Sequence, residues 1–285
     1  MNKEYSLEKR ILRETEGFSG HMGVCADDLR GGVVAVNADE EFETASTIKA
    51  FILADLFRRV HEGTKKLSEK LPYTSENYLK GSGVMRYFDF GDEMSAKNVA
   101  TLMIIVSDNV ATNIIIDYLG LDSINDTIQS LGFRRTKLLR KLCDQAQSPL
   151  GITTPREYGR LFALVAREEL ISPEASRGML DIFKAQQLNN ILVNWLPPYY
   201  LTEDSFPEAP DQKTFVASKS GSLKSCRNDG GIVGTPFGRY AVAIMTRDFH
   251  DKLYHKFHEA LNYGSRVARL LYDQYLALEG RFFLK

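Results

Sequence analysis

Ser46-Thr47-Ile48-Lys49 sets a hydroxyl and an amine three positions apart at the head of an apolar run, STIKAFILADLFRRV. On a helix that spacing puts both groups on one face, about one turn apart. A serine hydroxyl is a weak nucleophile until a base takes its proton. A lysine becomes that base when burial and a second cation lower its pKa, and Lys219 is a candidate for the second cation. Taken alone the spacing says little: a chain of this length holds roughly one such match by composition. Ser6-Leu7-Glu8-Lys9 is another, on what reads as an exposed helix. Ser46 by itself is more simply a helix N-cap. Ser107-Asp108-Asn109 between two predicted helices, and Lys219-Ser220-Gly221 at the end of a predicted strand, are ordinary caps and strand ends when read singly.

The elements that must position these residues follow from periodicity and punctuation. Tyr5, Leu7, Ile11 and Leu12 suggest a first helix, and apolar segments 18–26 and 32–37, parted by Asp27, Asp28, Gly31 and Gly32, read as a hairpin. The run from Ser46 to Val60 is apolar almost all round and stops at Gly63, which suits a helix buried at the centre of a domain. Helices follow from a Ser95 cap to Val106, from Asn109 to Leu119 and over 123–131. Thr154-Pro155-Arg156-Glu157 reads as a capping box with proline at the first helical position. Ser172-Pro173 opens a helix to about 186, and a Pro-rich stretch over 196–210 returns the chain to strand-like sequence. Strands are predicted at 213–220, 229–235 and 239–247. A closing helix carries Phe257, Leu261, Val267, Leu271, Tyr275 and Leu278.

This order predicts an α+β fold: a five-stranded antiparallel sheet flanked by the N- and C-terminal helices in three αβα layers, with a large all-helical lobe inserted. Residues 1–45 and 206–285 would form the sheet lobe and 46–205 the helical lobe, with a site in the cleft between them.

The three motifs occur in this order, each on its predicted element, and together they form the set shared by class A β-lactamases and penicillin-binding proteins. The chain resembles that superfamily over nearly its whole length, including SDNVATNIIIDYLG, LGFRRTKLLR and VASKSGS. The resemblance implies a serine hydrolase with Ser46 as nucleophile, Lys49 as proton acceptor and Ser107 as relay to the leaving nitrogen. Asn109 would bind Lys49 and the substrate amide, while Lys219 and Ser220 would hold a substrate carboxylate. Gly221 would let the substrate backbone approach the strand. The backbone N–H groups of Ser46 and Ser222 would form an oxyanion hole, worth about 3–4 kcal/mol per donor in the transition state. Tyr87 would wall the cleft mouth, with core packing nearly as plausible.

One departure matters. Where class A enzymes carry the glutamate that positions the deacylating water, Leu142 stands, and Asp144 is the one carboxylate of residues 136–153. The resemblance points first to a class A-like β-lactamase with altered deacylation, with Asp144 as a candidate replacement; the alternatives are a penicillin-binding peptidase or esterase with slow β-lactam turnover, and a sensor module that is acylated without turnover.

Bulk properties exclude other classes. With 36 basic and 37 acidic side chains, no long-range field favours nucleic acid or an anionic membrane. Cys25, Cys143 and Cys226 are an odd set without metal or disulfide spacing and read as reduced thiols. His255 and His258 fit a solvated helix start better than a metal site, and no cofactor is expected. The partner expected is a small β-lactam or acyl-D-Ala-like amide or ester, bound by a monomer. No membrane span is visible, and MNKEYSLEKR reads as cytoplasmic, or periplasmic or secreted if an export signal has been removed.

Overall fold

The computed structural model describes residues 6–144, 147–188, 190–196, 215–235 and 238–277. Five antiparallel strands run in the order β2-β1-β5-β4-β3, with β1 His21–Asp27, β2 Val33–Val36, β3 Phe215–Ser218, β4 Arg227–Thr235 and β5 Gly238–Arg247. A two-residue strand, Gly221–Ser222, continues past β3 and pairs with β4, placing Ser222 opposite Arg227 and Gly221 opposite Asn228. The last long strand is central because its sequence, GRYAVAIMTR, is buried almost throughout and pairs on both edges.

Strand alternation divides the core into two faces. Val24, Ala26, Val242 and Ile244 pack with Ile11 of α1 (Leu7–Glu14) and with Val267 and Leu271 of α8 (Glu259–Tyr272). Ala241, Ala243 and Met245 face the other way, into a cluster shared with Tyr158, Leu161 and Phe162 of α6 (Pro155–Ala166). The sheet thus lies between helical layers, as the α+β class requires.

The remaining helices are α2 (Lys49–His61), α3 (Ala96–Ile105), α4 (Asn109–Leu119), α5 (Leu121–Ser130) and α7 (Pro173–Lys184). Every residue from Lys49 to Phe57 is buried, as the apolar run predicts. That stretch includes Asp55, whose carboxylate accepts from Thr127 Oγ1 at 2.5 Å and Ser123 Oγ at 3.0 Å and pairs with Arg59 at 3.3 Å. A buried carboxylate needs such partners, and they lie on α5 and one turn along α2. No described helix is long and apolar enough to cross a membrane.

Several local expectations need correcting. Ser46 lies in a 3₁₀ turn, Ala45–Ile48, and the α-helix begins at Lys49. Thr154 caps α6 through Glu157 N at 3.2 Å, but the Glu157 carboxylate turns away to Arg135 N and Thr136 Oγ1, so the reciprocal half of the capping box is missing. The helix α8 starts at Glu259, with the buried His258 as its N-cap, because that imidazole accepts from Ala260 N. Phe257 and His255 therefore lie outside it. The Pro-rich 197–210 and Leu278 lie outside the described residues.

Candidate active site

Ser46 sits half-buried in the first turn of the central helical element. Its hydroxyl caps no helix: Thr44 holds the N-cap position of the 3₁₀ turn, and α2 has no side-chain cap. The contrast is with Ser6, whose Oγ accepts from Lys9 N as the N-cap of α1. The competing cap reading thus holds for Ser6 and fails for Ser46. Two non-glycine residues at or beside the motifs have left-handed backbones, Ala45 just before Ser46 at φ 46° and Ser107 at φ 51°. Each conformation costs of order 1–3 kcal/mol and persists where surrounding contacts impose it.

For the Ser46 turn the constraint comes from the strand beside it. A Cβ on Gly221 would lie 2.8 Å from Ser46 N, 2.8 Å from Thr44 O and 2.9 Å from Thr47 N. The space this glycine provides is filled by the backbone of the Ser46 turn. Asn228 Nδ2 reaches Glu43 O at 2.8 Å, and Thr44 N donates to Gly151 O at 2.9 Å, anchoring the approach to that turn on both sides.

Lys49 is fully buried, and its Nζ lies within hydrogen-bond distance of Ser107 O (2.7 Å), Ser107 Oγ (3.1 Å) and Asn109 Oδ1 (3.1 Å). Burial pushes its pKa well below the usual lysine range, and repulsion from Lys219 adds to the effect. Lys219, also fully buried, donates to Ser107 Oγ at 3.2 Å and to Ser220 O at 2.7 Å. Its burial brings it down to about 7, against the attraction of Asp229. One hydroxyl, Ser107 Oγ, therefore joins two buried amines. Such a chain can pass protons between Lys49 and Lys219.

Asp108 is buried and acts on backbone: Oδ2 accepts from Val84 N at 2.6 Å and Met85 N at 2.8 Å, and Oδ1 from Ala111 N at 3.0 Å. The capping residue expected there also fastens the 82–85 loop over the motif, with Asn109 N donating to Ser82 O at 3.0 Å. Beyond that loop Tyr87 is 73% exposed and stacked with Arg86, which removes the core-packing reading. Lys219 is held from behind, where Tyr158 Oη donates to its carbonyl and its own N–H donates to Gly230 O at 2.9 Å.

Ser46, Lys49, Ser107, Asn109, Lys219, Ser220, Gly221 and Ser222 thus converge, while Asp144 is exposed two residues past Leu142. The sequence reading missed Asn113. Its side chain bonds the Leu142 backbone twice, Nδ2 to Leu142 O and Leu142 N to Oδ1, both at 3.0 Å. The available signal was an amide amid apolar neighbours in VATNIII, one turn after Asn109. It also missed Asp229, a buried carboxylate accepting from Leu192 N at 3.1 Å and Gly230 N at 3.0 Å and pushed up to about 7 by burial. Among the described residues, no three His, Cys, Asp or Glu side chains gather in a way that could hold a metal ion.

A model of the β-lactamase enzyme family matches residues 6–275. The chain belongs to that family. It is a β-lactamase-like serine hydrolase of the class A and penicillin-binding superfamily. It is 29% identical to β-lactamase SME-1 of Serratia marcescens over 142 residues, a match spanning 49% of this chain and about half (48%) of that protein. It is similar to the solved β-lactamase of Sphaerobacter thermophilus, at a TM-score of 0.82 and 27% identity, covering 94% of this chain and 96% of that one. It is also similar to PBP-A, solved as a leucine-to-glutamate mutant in an acyl-enzyme complex with penicillin G, at a TM-score of 0.79 and 28% identity with 96% of each chain covered.

Proposed function

We propose that the chain acylates itself on Ser46 with β-lactams, and with acyl-D-Ala-like amides or esters, and releases the β-lactam acyl group slowly. The observation that carries the slow release is Leu142. By the sequence resemblance an alkyl side chain stands at the position where the family keeps its deacylating glutamate, and Asn113 fixes the backbone of that residue at both polar atoms.

The chemistry of acylation follows from the site. Lys49, kept neutral by burial and by Lys219, takes the Ser46 proton as Oγ bonds to the substrate carbonyl carbon. The electron pair displaced onto the carbonyl oxygen is met by the N–H groups of Ser46 and Ser222. As that pair returns, the C–N or C–O bond breaks, and the leaving atom takes its proton from Ser107 Oγ, which is resupplied from Lys49. Lys219 and Ser220 hold the substrate carboxylate, a charge that also restores Lys219 toward its protonated form.

A second reading, β-lactamase turnover, is favoured by the β-lactamase relatives and would need a deacylating base, which Leu142 cannot supply, with Asp144 the nearest carboxylate to it in sequence. Following β-lactam loss at equal enzyme and drug, and then with the drug in large excess, separates the two. Slow release predicts a burst of one drug per chain followed by a slow phase. Sustained turnover at the burst rate would establish the second reading instead.

A further inference from the structure

A groove of about 530 Å³ opens between the 190–195 segment and the start of α8, and its lining has a chemistry the acylation mechanism does not use. One wall carries Asn190, Asn194 and Trp195, and the other carries Lys256, Phe257 and Asn262. Both walls are fixed. Ser265 Oγ donates to Ile191 O at 3.0 Å, and Arg269 Nη1 donates to Trp195 O at 3.2 Å. On the other side Asn262 Nδ2 donates to Phe257 O at 2.9 Å, and Arg227 Nη2 donates to Leu253 O at 3.0 Å. The segments that carry the walls are tied to the sheet, Leu192 N donating to Asp229 and Arg227 donating to Leu253 O, both partners on β4.

The two aromatics are left partly in water, Trp195 at 47% and Phe257 at 69% exposure. Exposed rings rimmed by polar groups mark a binding surface. The polar groups here are three carboxamides, each able to donate and to accept through neighbouring atoms. An anion would call for more cations than Lys256 and His255, and Lys256 already lies over the Phe257 ring at 4.8 Å. A purely apolar ligand would leave the amides unanswered. A pyranose ring answers both demands, with an apolar C–H face for the rings and adjacent hydroxyls for the amides. The volume lies within the usual range for small-ligand sites, roughly 300–1,000 Å³.

We infer that this groove binds a neutral oligosaccharide, its sugar rings stacked on Trp195 and Phe257 and its hydroxyls or N-acetyl groups bonded to Asn190, Asn194 and Asn262. The site is separate from Ser46 and needs no acylation.

Trp195 is the single tryptophan of the chain, so its fluorescence reports on the groove directly. The full chain would be titrated with chitotetraose (N-acetylated), with cellotetraose and with a neutral tetrapeptide. A saturable change with either sugar at a Kd of about 1 mM or tighter is expected. Phe257→Ala and Asn194→Ala, both at exposed positions, should each weaken it roughly tenfold, about 1.4 kcal/mol. The Trp195 indole N–H resonance of the unmutated chain should move with the same Kd. Absence of a saturable change in both fluorescence and the indole resonance would overturn the inference. So would equal binding of the tetrapeptide, or sugar binding that both variants leave untouched.

Discussion

Leu142→Glu is the substitution that separates an acylating site from a hydrolysing one. The Asn113 amide holds the backbone of residue 142 by two 3.0 Å hydrogen bonds, so the new side chain would start from a fixed Cα. A positioned general base contributes about 10²–10⁴-fold, or roughly 3–5 kcal/mol of barrier. The lifetime of a β-lactam adduct on Ser46 should therefore shorten by about 10²-fold or more. Leu142 is half-buried against the helical core, so removing it costs about 1 kcal/mol, small beside a typical 5–15 kcal/mol stability. Adduct lifetime is read by acylating the protein with penicillin, removing free drug and following intact mass over time, with thermal unfolding as a control. Asn113→Ala in the same background should forfeit most of the gain. An adduct that persists within about threefold of the original, in a variant that still folds and acylates fully, would refute a fixed residue 142 as the switch.

Four further outcomes follow. Ser46→Ala should leave stability within about 0.5 kcal/mol by urea unfolding, because the hydroxyl caps no helix; a loss above about 1 kcal/mol would mean it does. Lys49→Met should slow acylation by about 10²–10⁴-fold while its unfolding temperature stays level or rises, since an alkyl group replaces an amine whose charged form burial disfavours. An unfolding temperature several degrees lower would contradict that reading. With Lys219 at about 7 when folded, the unfolded chain binds the lysine proton up to the ordinary lysine range and the folded chain does not. Its contribution therefore makes stability rise with pH above about 7. Urea unfolding at successive pH values should show this rise in the natural chain and a weaker one in Lys219→Met, and equal slopes would contradict it. By the same shift, acylation in the natural chain should slow as pH climbs through 7 and Lys219 loses its proton.

Much of this architecture is legible in local sequence because it rests on local physics. The β5 strand and the buried α2 run announce themselves by composition, and Ser95, Thr154 and Ser172 cap helices as their side chains dictate. What local sequence hides is decided by partners far along the chain. Glu157 abandons its capping box because Arg135 and Thr136 reach it first. The start of α8 shifts because His258 finds Asp251 O and Ala260 N. At the site, the spacing of Ser46 and Lys49 is visible, but the hydroxyl of Ser107 linking Lys49 to Lys219 is not. Neither is the Asn113 clamp on Leu142, made across 29 residues. Gly221 reads as room for a substrate, and the structure shows it as room for the Ser46 turn.

The most direct test of the account is intact-protein mass spectrometry of the natural chain and of Ser46→Ala after mixing with a penicillin, with the modified peptide mapped. The account predicts one adduct per natural chain, carried on Ser46 and lasting well beyond the consumption of one drug equivalent, and none on the variant. An adduct that survives in Ser46→Ala, or that maps to any other residue, would contradict it.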